Sequence, residues 1–308
     1  MRYNDDAQLD TSEVQDARGG GGAMLGGRGV AFGGGGLGIV ALVIYLVVSY
    51  ATGGGQGASN VLGQLGQSGQ PATADNAQIA SECKTGADAN SHLECAVVAD
   101  IDSIQAYWSG ELPRLGTRYV PVPTVWFTGQ VNTGCGSADS GAGPFYCPAD
   151  QRVYIDLSFY DDIEKQFKAQ GGAFVDAYVL AHEYGHHVQD LLGVEAKVRT
   201  RQGATSDSVR LELQADCYAG VWAKHATEPG PNGEAALISS IDAQDLRNAL
   251  EVAGHIGDDW IQKNLGNGQI NQKAFTHGSG AQREKWLQTG YRSGDPKSCD
   301  TFGTDNLG

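Results

Sequence analysis

The order of its segments assigns this chain to the α+β class. Two β-rich stretches come first, Val120 to Phe127 and Val153 to Leu157. Four longer stretches with the apolar spacing of helices follow, Phe174 to Leu192, Ser206 to His225, Asp242 to Asn264 and Ser279 to Tyr291. Strands followed by helices, rather than alternating with them, predict a small amino-terminal sheet and a separate helical core. With 41% hydrophobic and 8% aromatic residues over 308 positions, such a core can be filled.

Ahead of these elements the composition changes three times. Residues 1–29 are polar, with Asp5, Asp6, Asp10, Glu13 and Asp16 among few apolar side chains, and read as a disordered or weakly helical tail. Residues 30–52, Val30 to Thr52, carry no charge. About 20 residues suffice to cross a bilayer as a helix, so this run is expected to be a single transmembrane anchor. Arg18 and Arg28 precede it and no Lys or Arg follows until Lys84. The positive-inside rule then leaves the tail in the cytoplasm and everything after Thr52 outside. A cleaved signal peptide, with Leu37 to Val48 as its apolar core and Ser49 and Ala51 near the cut, is the competing reading. Either reading sends the remainder out of the cytoplasm. Residues 53–76 are mostly Gly, Gln, Ser and Ala, a flexible linker, and residues 77–308 form the folded domain.

A net charge of −15 repels polyanions and sets nucleic acid aside as a partner. Six cysteines with no C-x-x-C pair suit disulfides in an oxidising compartment. Cys83 with Cys95 and Cys135 with Cys147 repeat one spacing of twelve positions, which predicts two local loops and leaves Cys217 to meet Cys299. Six buried reduced thiols are the alternative.

The chemistry is concentrated in A-H-E-Y-G-H-H-V-Q, Ala181 to Gln189. His182 and His186 lie four apart, so on a helix both imidazoles face one metal ion, with Glu183 beside them to take a proton from water. His187 points about 100° away from His186 and is set aside. A third ligand is needed. The spacing H-E-x-x-H-x-x-G-x-x-H fails, because Gln189 and Leu192 stand where that glycine and histidine belong. Downstream, Glu212 and Asp216 lie four apart on a helix otherwise crowded by Val209, Leu211, Leu213, Ala215, Val221 and Trp222. Buried carboxylates without cationic partners are costly, so Glu212 is assigned as ligand and Asp216 as the support of a ligating histidine. The site calls for one zinc per chain.

H-E-Y-G-H-H-V-Q, L-E-L-Q-A-D-C-Y-A-G-V-W-A, G-P-F-Y-C-P-A-D, F-T-H-G-S-G-A-Q-R and S-G-D-P-K-S-C-D-T-F together resemble the bacterial family called Putative neutral zinc metallopeptidase. The resemblance spans nearly the whole chain. It implies a zincin-like fold, His182 and His186 as zinc ligands, and Glu183 as catalytic base, and it supplies no substrate; a metal-activated water beside a base is expected to attack the carbonyl of a peptide or protein substrate. Peptidases with two histidines and one glutamate also resemble one another in placing a donor opposite the base. His277 is the candidate, with His255 and Tyr218 as competitors. The strand Val153 to Leu157 is the expected edge along which substrate lies extended. A membrane-tethered binding module with structural zinc, or a zinc amidase acting on a non-protein amide, are the rival functions.

Overall fold

The computed structural model describes residues 1–18, 76–230 and 235–308. The anchor expected at residues 30–52 and, apart from Asn76, the linker expected at residues 53–76 lie outside them. Among the described residues no helix is long and apolar enough to cross a membrane. In chain order the elements are β1 (Arg2–Tyr3), β2 (Val14–Asp16), α1 (Ala77–Glu82), α2 (Gly86–Ala89), α3 (Leu93–Glu111), β3 (Thr124–Trp126), β4 (Gln130–Thr133), β5 (Gly136–Asp139), β6 (Phe145–Cys147), β7 (Arg152–Ile155), α4 (Phe159–Lys165), α5 (Ala173–Leu191), α6 (Asp207–His225), β8 (Ile238–Ser240), α7 (Ala243–His255), α8 (Asp258–Asn264) and α9 (Gly280–Ser293).

Small sheets beside a helical core make this a mixed α+β fold. The principal sheet has the order β2-β3-β7-β6, with β2, β3 and β7 parallel and β6 antiparallel at one edge. β7 is therefore an interior strand, not the edge expected from Val153 to Leu157. Val153, Tyr154 and Ile155 are all buried, as a strand covered on both faces requires. β3 is only Thr124–Trp126, because Pro121 and Pro123 lack the N–H that a longer strand would donate.

The amino segment departs most from expectation. Residues 1–18 are not a disordered or weakly helical tail. β1 pairs with β8, and β2 extends the principal sheet beside β3. Tyr3 donates its hydroxyl to Asp100 of α3 at 2.9 Å, and the Arg18 guanidinium stacks 4.9 Å over Trp126. Strands of two or three residues leave no periodicity to read, and their partners lie over a hundred positions away. The helix α3 was also missed, for the opposite reason. Val97, Val98, Ala99, Ile101, Ile104 and Trp108 are fully buried around it, so it shows little contrast between faces. The stretch Asp242 to Asn264 is two helices, α7 and α8, turned at Gly257, where an added Cβ would meet the Gly280 nitrogen at 2.2 Å.

Three helices fix the site. α5 and α6 approach at Gly185, where a Cβ would sit 3.1 Å from the Ala215 backbone. α6 and α9 close in further, since Cβ atoms at Gly220 and Gly290 would overlap the carbonyl oxygens of Leu287 and Cys217. Both helices are capped. The Ser206 hydroxyl accepts from Val209 N at the start of α6, and Ser279 and Gln282 form a reciprocal capping box at the start of α9. Each such cap contributes about 1 kcal/mol. The structure joins Cys83 to Cys95, Cys135 to Cys147 and Cys217 to Cys299, and the last pair ties α6 to the carboxyl-terminal segment.

Candidate metal centre

His182 and His186 lie one turn apart on α5 with Glu183 next to His182, and Glu212 faces them from α6. Nε2 of His182 is 3.2 Å from Glu212 Oε2, and Nε2 of His186 is 3.6 Å from Glu212 Oε1. One donor atom from each of the three residues lies within 4.8 Å of the others, a set that could hold a metal ion. Two imidazoles and a carboxylate are donors that suit zinc.

Each imidazole is held from behind. Nδ1 of His182 is 2.8 Å from Asp216 Oδ1, and Nδ1 of His186 is 2.8 Å from Gln189 Oε1. Bonds at Nδ1 leave Nε2 free to face the donor set. The Gln189 amide is itself locked, donating to the Leu211 carbonyl at 2.7 Å and to Gln214 at 3.1 Å. Asp216, with no exposure at all, accepts from the Tyr178 hydroxyl at 2.7 Å and from Arg283 Nε and Nη2 at 2.9 and 3.0 Å.

The charges follow from this packing. Burial pushes Glu212 upward, but His186, His277 and His182 outweigh it and hold the carboxyl well below its usual range. Burial opposes ionisation of Asp216 too, and Arg283 and His182 overcome it. Burial disfavours a charged His182, yet Asp216 and then Glu212 raise it to about 10. Glu183 moves upward, because burial exceeds the help of His182 and His186. Without metal, His182 thus carries positive charge beside the two carboxylates, and His186 is shifted in the same direction.

His182, Glu183, His186, Glu212 and His277 all line one cavity of about 360 Å³. His277 sits in the loop before α9. Asp258 of α8 holds that loop by accepting the N–H groups of Thr276, His277 and Gly278 at 2.8, 2.7 and 2.9 Å. Thr276 Oγ1 and Asp258 Oδ1 lie 2.9 and 3.5 Å from His277 Nδ1. The competitors go elsewhere. His255 bonds the Phe167 carbonyl and stacks on Trp260, and Tyr218 packs edge-on against Trp108. Neither lines this cavity. Its other walls combine apolar Phe159, Phe167, Val179, Ile256 and Ile261 with Tyr178, Glu195 and Arg283, and Gly143 to Tyr146 line it on the way into β6.

Sequence reasoning missed Gln189, Tyr178, Asp258 and Arg283. Gln189, three positions after His186, and Tyr178, four before His182, carried a signal, since each shares a helix face with its histidine. The others act across tens of residues of chain.

Residues 1–302 match the family described as Putative neutral zinc metallopeptidase. The chain is 46% identical over 230 residues to the uncharacterized protein Rv2575 of Mycobacterium tuberculosis, covering 74% of this chain and 77% of that protein. It is 38% identical over 310 residues to the uncharacterized protein YpfJ of Escherichia coli, covering 98% of this chain and 99% of that protein. No solved structure matches the chain. With a donor set fit for zinc and a family match over almost its whole length, the chain belongs to the family described as Putative neutral zinc metallopeptidase.

Proposed function

We propose that the protein is a zinc-dependent peptidase of zincin-like design. His182, His186 and Glu212 hold about one zinc per chain, Glu183 is the general base, and His277 donates to the developing oxyanion. The observation that carries this reading is the convergence of the three donor residues in a cavity that Glu183 also lines. When bound, zinc supplies Lewis acidity, which polarises a peptide carbonyl and acidifies water.

The residues divide the remaining work. Glu183 takes the proton of the attacking water and passes it to the leaving amine, a relay suited to a carboxyl beside the donor set that burial shifts upward. Asp216 and Gln189 hold the two imidazoles in the tautomer that offers Nε2. His277, steadied by Asp258, faces the oxygen that gains charge. The substrate backbone lies along β6, the edge strand at the cavity rim, in place of β7. A base facing the cavity supports turnover over a purely structural metal.

The test is cleavage of an unfolded protein by the purified full chain, with chelator and with zinc restored. Cleavage abolished by chelator and recovered with zinc is expected. A zinc-loaded protein that leaves unfolded protein intact but opens a cell-wall amide would move the reading to an amidase.

We further propose that the domain works outside the cytoplasm, attached to the membrane through residues 30–52. Three disulfides support the compartment. Paired strands lie about 5 Å apart, so the β2–β3 pairing supports an amino segment on the same side as the domain, an arrangement that replaces the cytoplasmic tail and does not allow a single crossing of the membrane between the two. Exposed Ser12, changed to Cys, should react with a membrane-impermeant maleimide in intact spheroplasts. Labelling only after lysis would return the segment to the cytoplasm.

A further inference from the structure

His187, the histidine of H-E-Y-G-H-H that stays out of the donor set, is fully buried. Its Nε2 is 2.7 Å from the Val120 carbonyl oxygen and its Nδ1 is 3.0 Å from the Tyr146 hydroxyl. The same hydroxyl donates to Asp190 Oδ2 at 2.9 Å. His187 and Asp190 follow Glu183 by four and seven positions, one and two turns further along α5.

Tyr146 stands at the centre of β6. Its backbone N–H faces the Glu183 carboxylate and partly offsets the effect of burial on it, and both residues line the cavity. α5 therefore grips β6 at two points, by the base at the backbone and by His187 and Asp190 at the phenol. The strand has three residues and is paired only with β7, in the register Tyr146 to Val153. So short a ladder fixes an edge strand weakly; the Cys135–Cys147 disulfide and the stacking of Phe145 on Tyr154 hold its two ends, and the phenol contact holds its centre.

We propose that Tyr146 is a positioning residue for Glu183, and that His187 and Asp190 act through it. This rests on the peptidase reading above. Without the anchor, β6 shifts and Glu183 loses its N–H partner, so the base is misplaced while the donor set, held by Asp216 and Gln189, stays intact. A base works in the chemical step, so kcat bears the cost rather than KM.

Four variants of the full chain test this: Tyr146→Phe, His187→Gln, Asp190→Asn and Asp190→Ala. Tyr146→Phe and His187→Gln should each lower kcat ~10-fold, with KM within about twofold and zinc unchanged. The double variant should be no worse than either single one, since both cut one link. Asp190→Asn keeps an acceptor oxygen and should retain the kcat that Asp190→Ala loses. A readout independent of turnover is amide hydrogen exchange over Phe145–Cys147, which should quicken ~10-fold in Tyr146→Phe while α5 is unaffected. Unchanged exchange in Tyr146→Phe overturns the proposal, whether or not the protein cleaves anything. Wild-type kcat in Tyr146→Phe, a change of one oxygen that tests the link even if His187→Gln fails to fold, does the same. A zinc-loaded wild type that cleaves nothing, with the exchange effect present, overturns the peptidase reading alone.

Discussion

Two groups of buried carboxylates sit at opposite ends of the design. Glu212 and Asp216 on α6 are desolvated, but His182, His186, His277 and Arg283 surround them and keep them ionised. Asp102 on α3 and Glu13 in the amino segment are desolvated as well. They face an amide, a backbone N–H and other acids, and burial drives them up to about 8 and about 7. None of the described groups that shift these two is a cation. The difference teaches that burial alone does not mark a functional acid. The sign of what surrounds it does, because a carboxylate held ionised by cations is ready to exchange protons on histidine for a metal.

The largest expected effects cut the first group. Glu212→Ala and His186→Ala should each reduce zinc from about one per chain to a small fraction, measured by metal analysis. Full zinc in either variant would make the two carboxylate groups alike and remove the assignment. Glu183→Gln should keep zinc and fold yet lose hydrolysis by ~10³-fold, since an amide cannot accept the proton. His277→Ala should keep zinc and lower kcat by ~10²- to 10³-fold. Wild-type turnover in the latter would pass the oxyanion to another donor, and Arg283, which also lines the cavity, comes first.

A smaller effect sharpens the contrast through proton counting. With His182 raised to about 10, that imidazole holds an extra proton at neutral pH in the metal-free protein, and Glu212 shifts His186 in the same direction. Zinc needs Nε2 unprotonated, so binding should release on the order of one to two protons at pH 7. Affinity should then fall as pH falls. Calorimetric titration in two buffers of different ionisation enthalpy gives the count directly. Zero release would mean that the histidines are neutral before the metal arrives, and the cationic ring around Glu212 would reduce to His277 and Arg283.

Much of this centre was legible in sequence, because it breaks local rules. Glu212 and Asp216 stand four apart on an apolar helix, and three histidines crowd into six residues, which packing alone does not explain. The cysteine pairs were legible from two equal spacings. What escaped reading acts across the chain. Arg283 is 67 positions from Asp216 and sits in the polar run Q-R-E-K, where nothing local marks it as buried. Tyr146 belongs to a three-residue strand between loops, too short for any period. Val153 to Ile155 attracted the role of edge strand through its apolar character, which is the property that places β7 inside the sheet. The second carboxylate group was invisible because Glu13 comes from a segment that composition assigns to a tail and Asp102 from a helix that shows little contrast between its faces.

The smallest effect tests that second group by itself. In the unfolded chain Asp102 and Glu13 ionise near their ordinary values of 3.8 and 4.5, whereas the folded protein holds their protons up to about 8 and about 7. Both folded values are raised, so the folded state binds more protons between about pH 4 and 8 and stability falls as pH rises through that window. Glu13 shifts Asp102 directly, so the two titrate as a pair rather than as separate steps. The sense is opposite to that of Glu212 and Asp216, whose depressed values favour the fold above the usual carboxylate range. Glu13→Gln with Asp102→Asn removes the proton requirement while keeping the Gln105 contact and the bond from Asp10 N. The Tm of the double variant at pH 8 should exceed that of the wild type by ~3 °C or more, since each kcal/mol is worth about 2–4 °C in a domain of this size. At pH 4 the two proteins should melt together. A gap that is equal at both pH values would show packing rather than protonation at work. A double variant that melts below the wild type at pH 8 and together with it at low pH would mean that these acids are ionised in the fold, as Glu212 and Asp216 are, and the distinction between the two groups would fail.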